Sequence, residues 1–79
     1  MSPTVLRSGP YRFFFFSNEG TEPAHIHVQP EKMLAKFWLR PEGIARSTGF
    51  SARELRSIQS IVIANQQTLM EAWDDFFAD

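Results

Sequence analysis

Four consecutive phenylalanines, Phe13 to Phe16, sit near the start of a chain of only 79 residues. Successive side chains of an extended segment point to opposite faces, so such a run puts rings on both sides of whatever sheet holds it. A strand of this kind must be covered on both faces or lie inside its sheet, and residues 11–17 are therefore read as the core strand. Because the chain has no cysteine, no disulfide framework or thiolate metal site can staple it, and its core has to rest on packing. Eight Phe, two Trp and one Tyr supply the bulk.

The neighbouring stretches fall into place around that strand. Residues 4–7, Thr-Val-Leu-Arg, read as a first strand, joined to the aromatic one through Ser8, Gly9 and Pro10 by a tight antiparallel hairpin. A polar loop rich in turn formers, residues 18–23, leads into His25-Ile26-His27-Val28. Strict alternation there places both imidazoles on one face and Ile26 with Val28 on the other. Residues 32–40 read as a further strand, with Met33, Ala35, Phe37 and Leu39 on its core face and Lys32, Leu34, Lys36 and Trp38 opposite. Residues 41–46 read as a short edge strand or a turn, and residues 47–49 as linker.

Ser51 followed three residues later by Glu54 is a capping box, and Phe50 can close on Leu55 as a hydrophobic staple, so a helix is predicted to start at Ala52. From there Leu55, Ile58, Val62, Asn65, Leu69, Ala72 and Phe76 follow steps of three and four, with Ile61 and Trp73 widening the stripe. The stripe keeps phase through Asn65, which favours one continuous helix with a kink, although Thr68 and Glu71 have the spacing of a second capping box after a break. Unbroken to Phe77, the helix would be about 40 Å long, against a diameter of about 30 Å for a compact domain of this size. The overhang predicts that Leu69, Trp73 and Phe76 meet another protein, either a second copy in a homodimer or a small partner whose basic surface suits Asp74, Asp75 and Asp79. The expected fold is α+β: one domain over residues 1–79, with a small antiparallel sheet of three to four strands within residues 1–46 and a long C-terminal helix over 51–77 packed on one face.

The charge is uneven. Residues 1–56 carry eight basic and five acidic side chains, whereas residues 57–79 carry four acidic and none basic, so a polyanion suits one end and a basic partner the other. No apolar run is long enough for a membrane span and no signal-peptide pattern opens the chain, which is read as a cytoplasmic protein.

The histidine pair is the sharpest chemical feature. Two imidazoles on one strand face lie about 6.5–7 Å apart at the backbone, close enough for one to act as base and the other as acid on an RNA phosphodiester. Arg12 or Lys36 would supply the cation that the developing phosphorane charge requires. The same pair could hold zinc or iron with a further ligand from Glu19, Glu22 or Glu31, but H-x-H is a short and common pattern and there is no third histidine. The bland reading keeps both histidines on the solvent face of their strand, hydrogen-bonded to loop carboxylates such as Glu22. Arg12 is the only charge within residues 11–16, so the rings there read as core before they read as a stacking platform for a single strand. No phosphate-binding loop, nucleotide fingerprint or serine elbow is present, and no cofactor is called for.

Nearly the whole chain resembles the small bacterial proteins grouped as domain of unknown function 4160. The likeness runs through Met1-Ser-Pro-Thr-Val5, Gly9-Pro-Tyr-Arg-Phe-Phe-Phe-Phe-Ser-Asn-Glu19, Glu22-Pro23, His25-Ile-His-Val28, Ala35-Lys-Phe-Trp-Leu39, Gly49-Phe50, Glu54-Leu55 and Trp73. Ala24 departs from a proline common in the family. The resemblance implies no established activity; it implies a neighbouring-gene partner, in an arrangement like that of a toxin and its antitoxin.

Overall fold

The computed structural model describes residues 4–16, 20–29, 33–40 and 42–78. Five strands, β1 (Thr4–Ser8), β2 (Tyr11–Phe14), β3 (His25–Gln29), β4 (Leu34–Leu39) and β5 (Glu42–Thr48), are followed by α1 (Ala52–Ala64) and α2 (Gln66–Phe77). The strands form one antiparallel sheet in sequence order, a meander with β3 at its centre. The class is α+β as predicted, but the sheet has five strands where three to four were expected.

The additional strand is β5. Its stretch contains Gly43, Ser47 and Thr48 and most of its residues are exposed, so no apolar alternation announces it. What makes it a strand is backbone pairing along β4, from Leu34 opposite Thr48 to Leu39 opposite Glu42. A register shift between Lys36 and Phe37 absorbs one residue of β5. Gly49 then ends the strand with φ at 91°, and a Cβ there would lie 2.7 Å from the Met33 side chain, so two independent constraints require glycine.

The helices cover the face that carries Phe13, Ile26, Val28, Ala35, Phe37 and Leu39, all at most 1 % exposed. The capping box forms as the sequence predicts: Ser51 Oγ accepts from the Glu54 amide at 3.1 Å and the Glu54 carboxylate accepts from the Ser51 amide at 3.0 Å. Ile58 and Val62 are fully buried against the sheet, while Leu55 and Phe50 are half-buried at its margin.

The single long helix is not what forms. At Asn65 the backbone leaves the helical region, with φ −115° and ψ 17°, and the side-chain Nδ2 donates to the Ile61 carbonyl at 2.8 Å. Asparagine competes for backbone partners in this way, and here it ends α1. The apolar stripe nevertheless stays in phase across the break, because Leu69 and Trp73 bury as Ile58 and Val62 do. The predicted overhang is therefore corrected: Leu69 is fully buried and Trp73 is 7 % exposed within the chain itself, which leaves Phe76 as the exposed apolar residue of the expected contact set. The Cα atoms span 37 × 24 × 20 Å. Neither helix is long and apolar enough to cross a membrane.

Ile58→Ala is expected to lower the unfolding free energy by about 2–5 kcal/mol, since it opens a cavity beneath the helix. Ser51→Ala should lower it by only about 1 kcal/mol, through loss of one cap. Urea titrations of both variants followed by circular dichroism check the order.

Candidate functional site

The strand registers place one row of residues across the sheet face opposite the helices: Thr4, Phe14, His27, Lys36 and Arg46, one from each strand. His25 and Trp38 form the next row on the same face, and on the other side of the central row lie Arg7 with Arg12, and Leu34 with Thr48. The alternation that predicted a common face for the two imidazoles therefore holds. Their exposure differs from the bland reading: His25 is fully buried and His27 is 3 % exposed.

The cause is aromatic cover. His27 lies parallel to Phe14, with ring centroids 5.6 Å apart, and Phe16 meets it edge-on at 4.5 Å. His25 is enclosed by Trp38 at 5.9 Å, by Trp73 of α2 at 4.9 Å and by His27 at 5.0 Å. Its Nδ1 lies 2.9 Å from the Pro23 carbonyl, a contact that ties the start of β3 to the preceding loop. Glu22, expected as a partner for a histidine, places Oε1 2.6 Å from the Lys36 ammonium. Lys36 also sits 4.8 Å from the centre of the Trp38 ring, so a buried cation has a carboxylate and an aromatic face as compensation.

Between His27 and β5 the face opens into a cavity of about 310 Å³, lined by Phe16, His27, Leu34, Ala35, Lys36, Arg46 and Thr48. Of the residues predicted for the site, the structure brings together His27 and Lys36, which stand directly opposite each other. His25 lies behind them and does not line the cavity. Arg12 is one ring further away, its guanidinium carbon 4.4 Å from the Phe14 ring centre and its Nε donating to Thr4 Oγ1 at 2.6 Å. Sequence reasoning missed Arg46, Thr48 and the exposure of Phe16. Arg46 and Thr48 stand two apart, as same-face residues of a strand do, but the sequence reads residues 41–46 as a short edge strand or a turn and residues 47–49 as linker, which divides the pair.

The metal alternative draws on Glu19 and Glu31, which lie outside the described residues, as does Asp79 of the acidic tail. Among the described residues no group of three or more His, Cys, Asp or Glu side chains converges.

Replacing His25 by Ala is expected to cost about 2–4 kcal/mol of stability, because it hollows a site walled by two tryptophans. Trp fluorescence during thermal unfolding would register it. Glu22→Ala should cost more than Lys36→Met, since the first leaves a buried ammonium poorly compensated and the second leaves a half-exposed carboxylate that water can solvate. Equal losses in the two unfolding curves would contradict that order.

A family model described as "Domain of unknown function (DUF4160)" matches residues 11–74, a span that includes every residue lining the cavity. Comparison with curated proteins and with solved structures returned no match.

Proposed function

The chain belongs to the DUF4160 family of domains of unknown function, and on that premise we propose that it is the RNA-acting effector of a bacterial two-gene module, with the cavity beside His27 as its site. One observation carries the reading: His27, Lys36 and Arg46 stand in a single cross-strand row beside a cavity that a phosphodiester can enter. An imidazole followed along the row by two cations is suited to metal-independent RNA cleavage.

In this reading His27 takes the proton of a 2′-hydroxyl, the oxygen attacks the adjacent phosphorus, and Lys36 with Arg46 stabilises the charge that gathers on the phosphorane. The 5′-oxygen leaves on the solvent side of the cavity, where water supplies its proton. His25 changes role from that suggested by the sequence. Its burial makes it a positioning residue that fixes the His27 ring from behind, and Arg12 orients Phe14 and, through that ring, the imidazole.

A second reading, a non-enzymatic interaction module, is favoured by a different feature. A cavity of about 390 Å³ lies between β1 and α2, lined by Thr4, Val5, Phe15, Ala72, Asp75 and Phe76, beside an outer strand of the sheet. An apolar groove with a carboxylate at its side suits a basic, antitoxin-like partner.

The two readings separate on one comparison. Purified wild type, His27→Ala and Lys36→Ala are incubated with total RNA, and the same proteins are expressed alone in growing cells. The effector reading expects cleavage and growth arrest from wild type, with cleavage lowered about 100-fold or more in His27→Ala. Intact RNA and normal growth with wild type would reject it in favour of the interaction module.

A further inference from the structure

Phe13 and Phe15 are buried in the core beneath the helices, Phe14 is buried on the other face against His27, and Phe16 is 36 % exposed. Core packing explains two of the four rings and cover of His27 a third, which leaves Phe16 on the wall of the cavity. Three strands on from β2, Arg46 and Thr48 of β5 form the far wall, with Lys36 on the floor between. The cavity thus pairs an apolar ring at one end with two cations and a hydroxyl at the other.

We propose that this cavity takes one unpaired nucleotide of single-stranded RNA, its base on Phe16 and its phosphate between Lys36 and Arg46. The inference rests on the RNA reading above and names the substrate class of that same site. Duplex RNA hides its bases inside the stack and offers phosphates and sugar hydroxyls, so it would satisfy the cations and leave Phe16 in water. A splayed single strand satisfies both ends, because every base presents a π-face to an aromatic side chain. At about 310 Å³ the cavity is at the small end of ligand sites, which suits one nucleotide rather than a folded element.

The surrounding charge points the same way. Arg7 and Arg12 continue the basic track across the sheet face toward β1. Among the described residues the carboxylates other than Glu22 are placed elsewhere: Glu42 accepts from Gln59, Glu54 caps α1, and Glu71, Asp74 and Asp75 belong to α2. A polyanion laid across this face therefore meets cations on four strands.

The test is read as binding, so that it can fail while cleavage holds and hold while cleavage fails. A short fluorescein-labelled RNA with 2′-O-methyl groups throughout, which cannot be cut by attack of its own 2′-oxygens, is titrated with the full chain by fluorescence anisotropy. It is used alone and annealed to its complement. The single strand should bind about tenfold or more tighter than the duplex, Phe16→Ala should weaken it about tenfold, and Phe16→Trp should keep wild-type affinity. Arg46→Ala should weaken binding and reduce the slope of log K against log salt by about 0.7, the loss of one single-strand phosphate contact. Equal affinity for duplex and single strand, or a Phe16→Ala variant of native circular dichroism that binds as wild type does, would overturn the inference. Phe16-dependent binding without any cleavage would uphold the inference and end the catalytic reading; cleavage that persists unchanged in Phe16→Ala would do the reverse.

Discussion

The central strand is closed on both sides, and the rest of the molecule is arranged by what that closure demands. Ile26 and Val28 face the helices, where apolar contact is enough. His25 and His27 face the other way, where a phenylalanine would pack as well but could not bond to anything. An imidazole offers both a flat ring for aromatic neighbours and a nitrogen for a polar one. His25 uses both, packing among Trp38 and Trp73 while its Nδ1 meets the Pro23 carbonyl. Buried polar groups are tolerated where such a partner exists, so the contact fixes the loop before β3 as firmly as the rings fix the strand.

That loop in turn governs the charge of the site. Fixing Pro23 brings the adjacent Glu22 onto Lys36, and that carboxylate and the Trp38 ring compensate a lysine that is 7 % exposed. An ion pair with only its lysine buried is a weak source of stability, because desolvating the ammonium consumes much of the attraction. Its presence on the floor of a cavity is better understood as a device for holding a cation in one place. Gly20 belongs to the same arrangement: a Cβ at that position would come 2.7 Å from the Phe77 ring, so the loop lies directly against the end of α2.

Local signals carried much of this to the sequence level, and their limits are physical. The capping box and staple are contained within six residues, and they marked the start of α1 correctly. Period-two alternation identified the core face of β4 and the shared face of His25 and His27. Neither kind of signal reports on what arrives from elsewhere in the chain. His25 is covered by residues 13 and 48 positions away, so its burial is invisible to a pattern read along β3 alone. β5 was legible only as a short edge strand or a turn over residues 41–46 for the same reason, since its strand state, through to Thr48, comes from pairing with β4. Lys36 comes to stand opposite His27, and Arg46 beside Lys36, through strand registers that no pattern within a single strand specifies.

The helix break ties these points together. Periodicity argued for continuity because the stripe does not lose phase at Asn65, yet phase and direction are separate properties of a helix. A change of direction that keeps phase leaves the pattern untouched and redirects everything beyond it. Trp73 lies eight residues past Asn65, so along a straight helix it would be displaced about 12 Å further in the direction of α1. Turned at Asn65, the same residue reaches the ring of His25 and meets Phe15 edge-on at 5.3 Å. The polar residue within the apolar seam thus has a structural task that its neighbours could not perform: it spends side-chain and backbone groups on the Ile61 carbonyl and frees α2 to close the back of the imidazole pair. Closing that side leaves the cavity beside His27 as the side from which the pair can be approached.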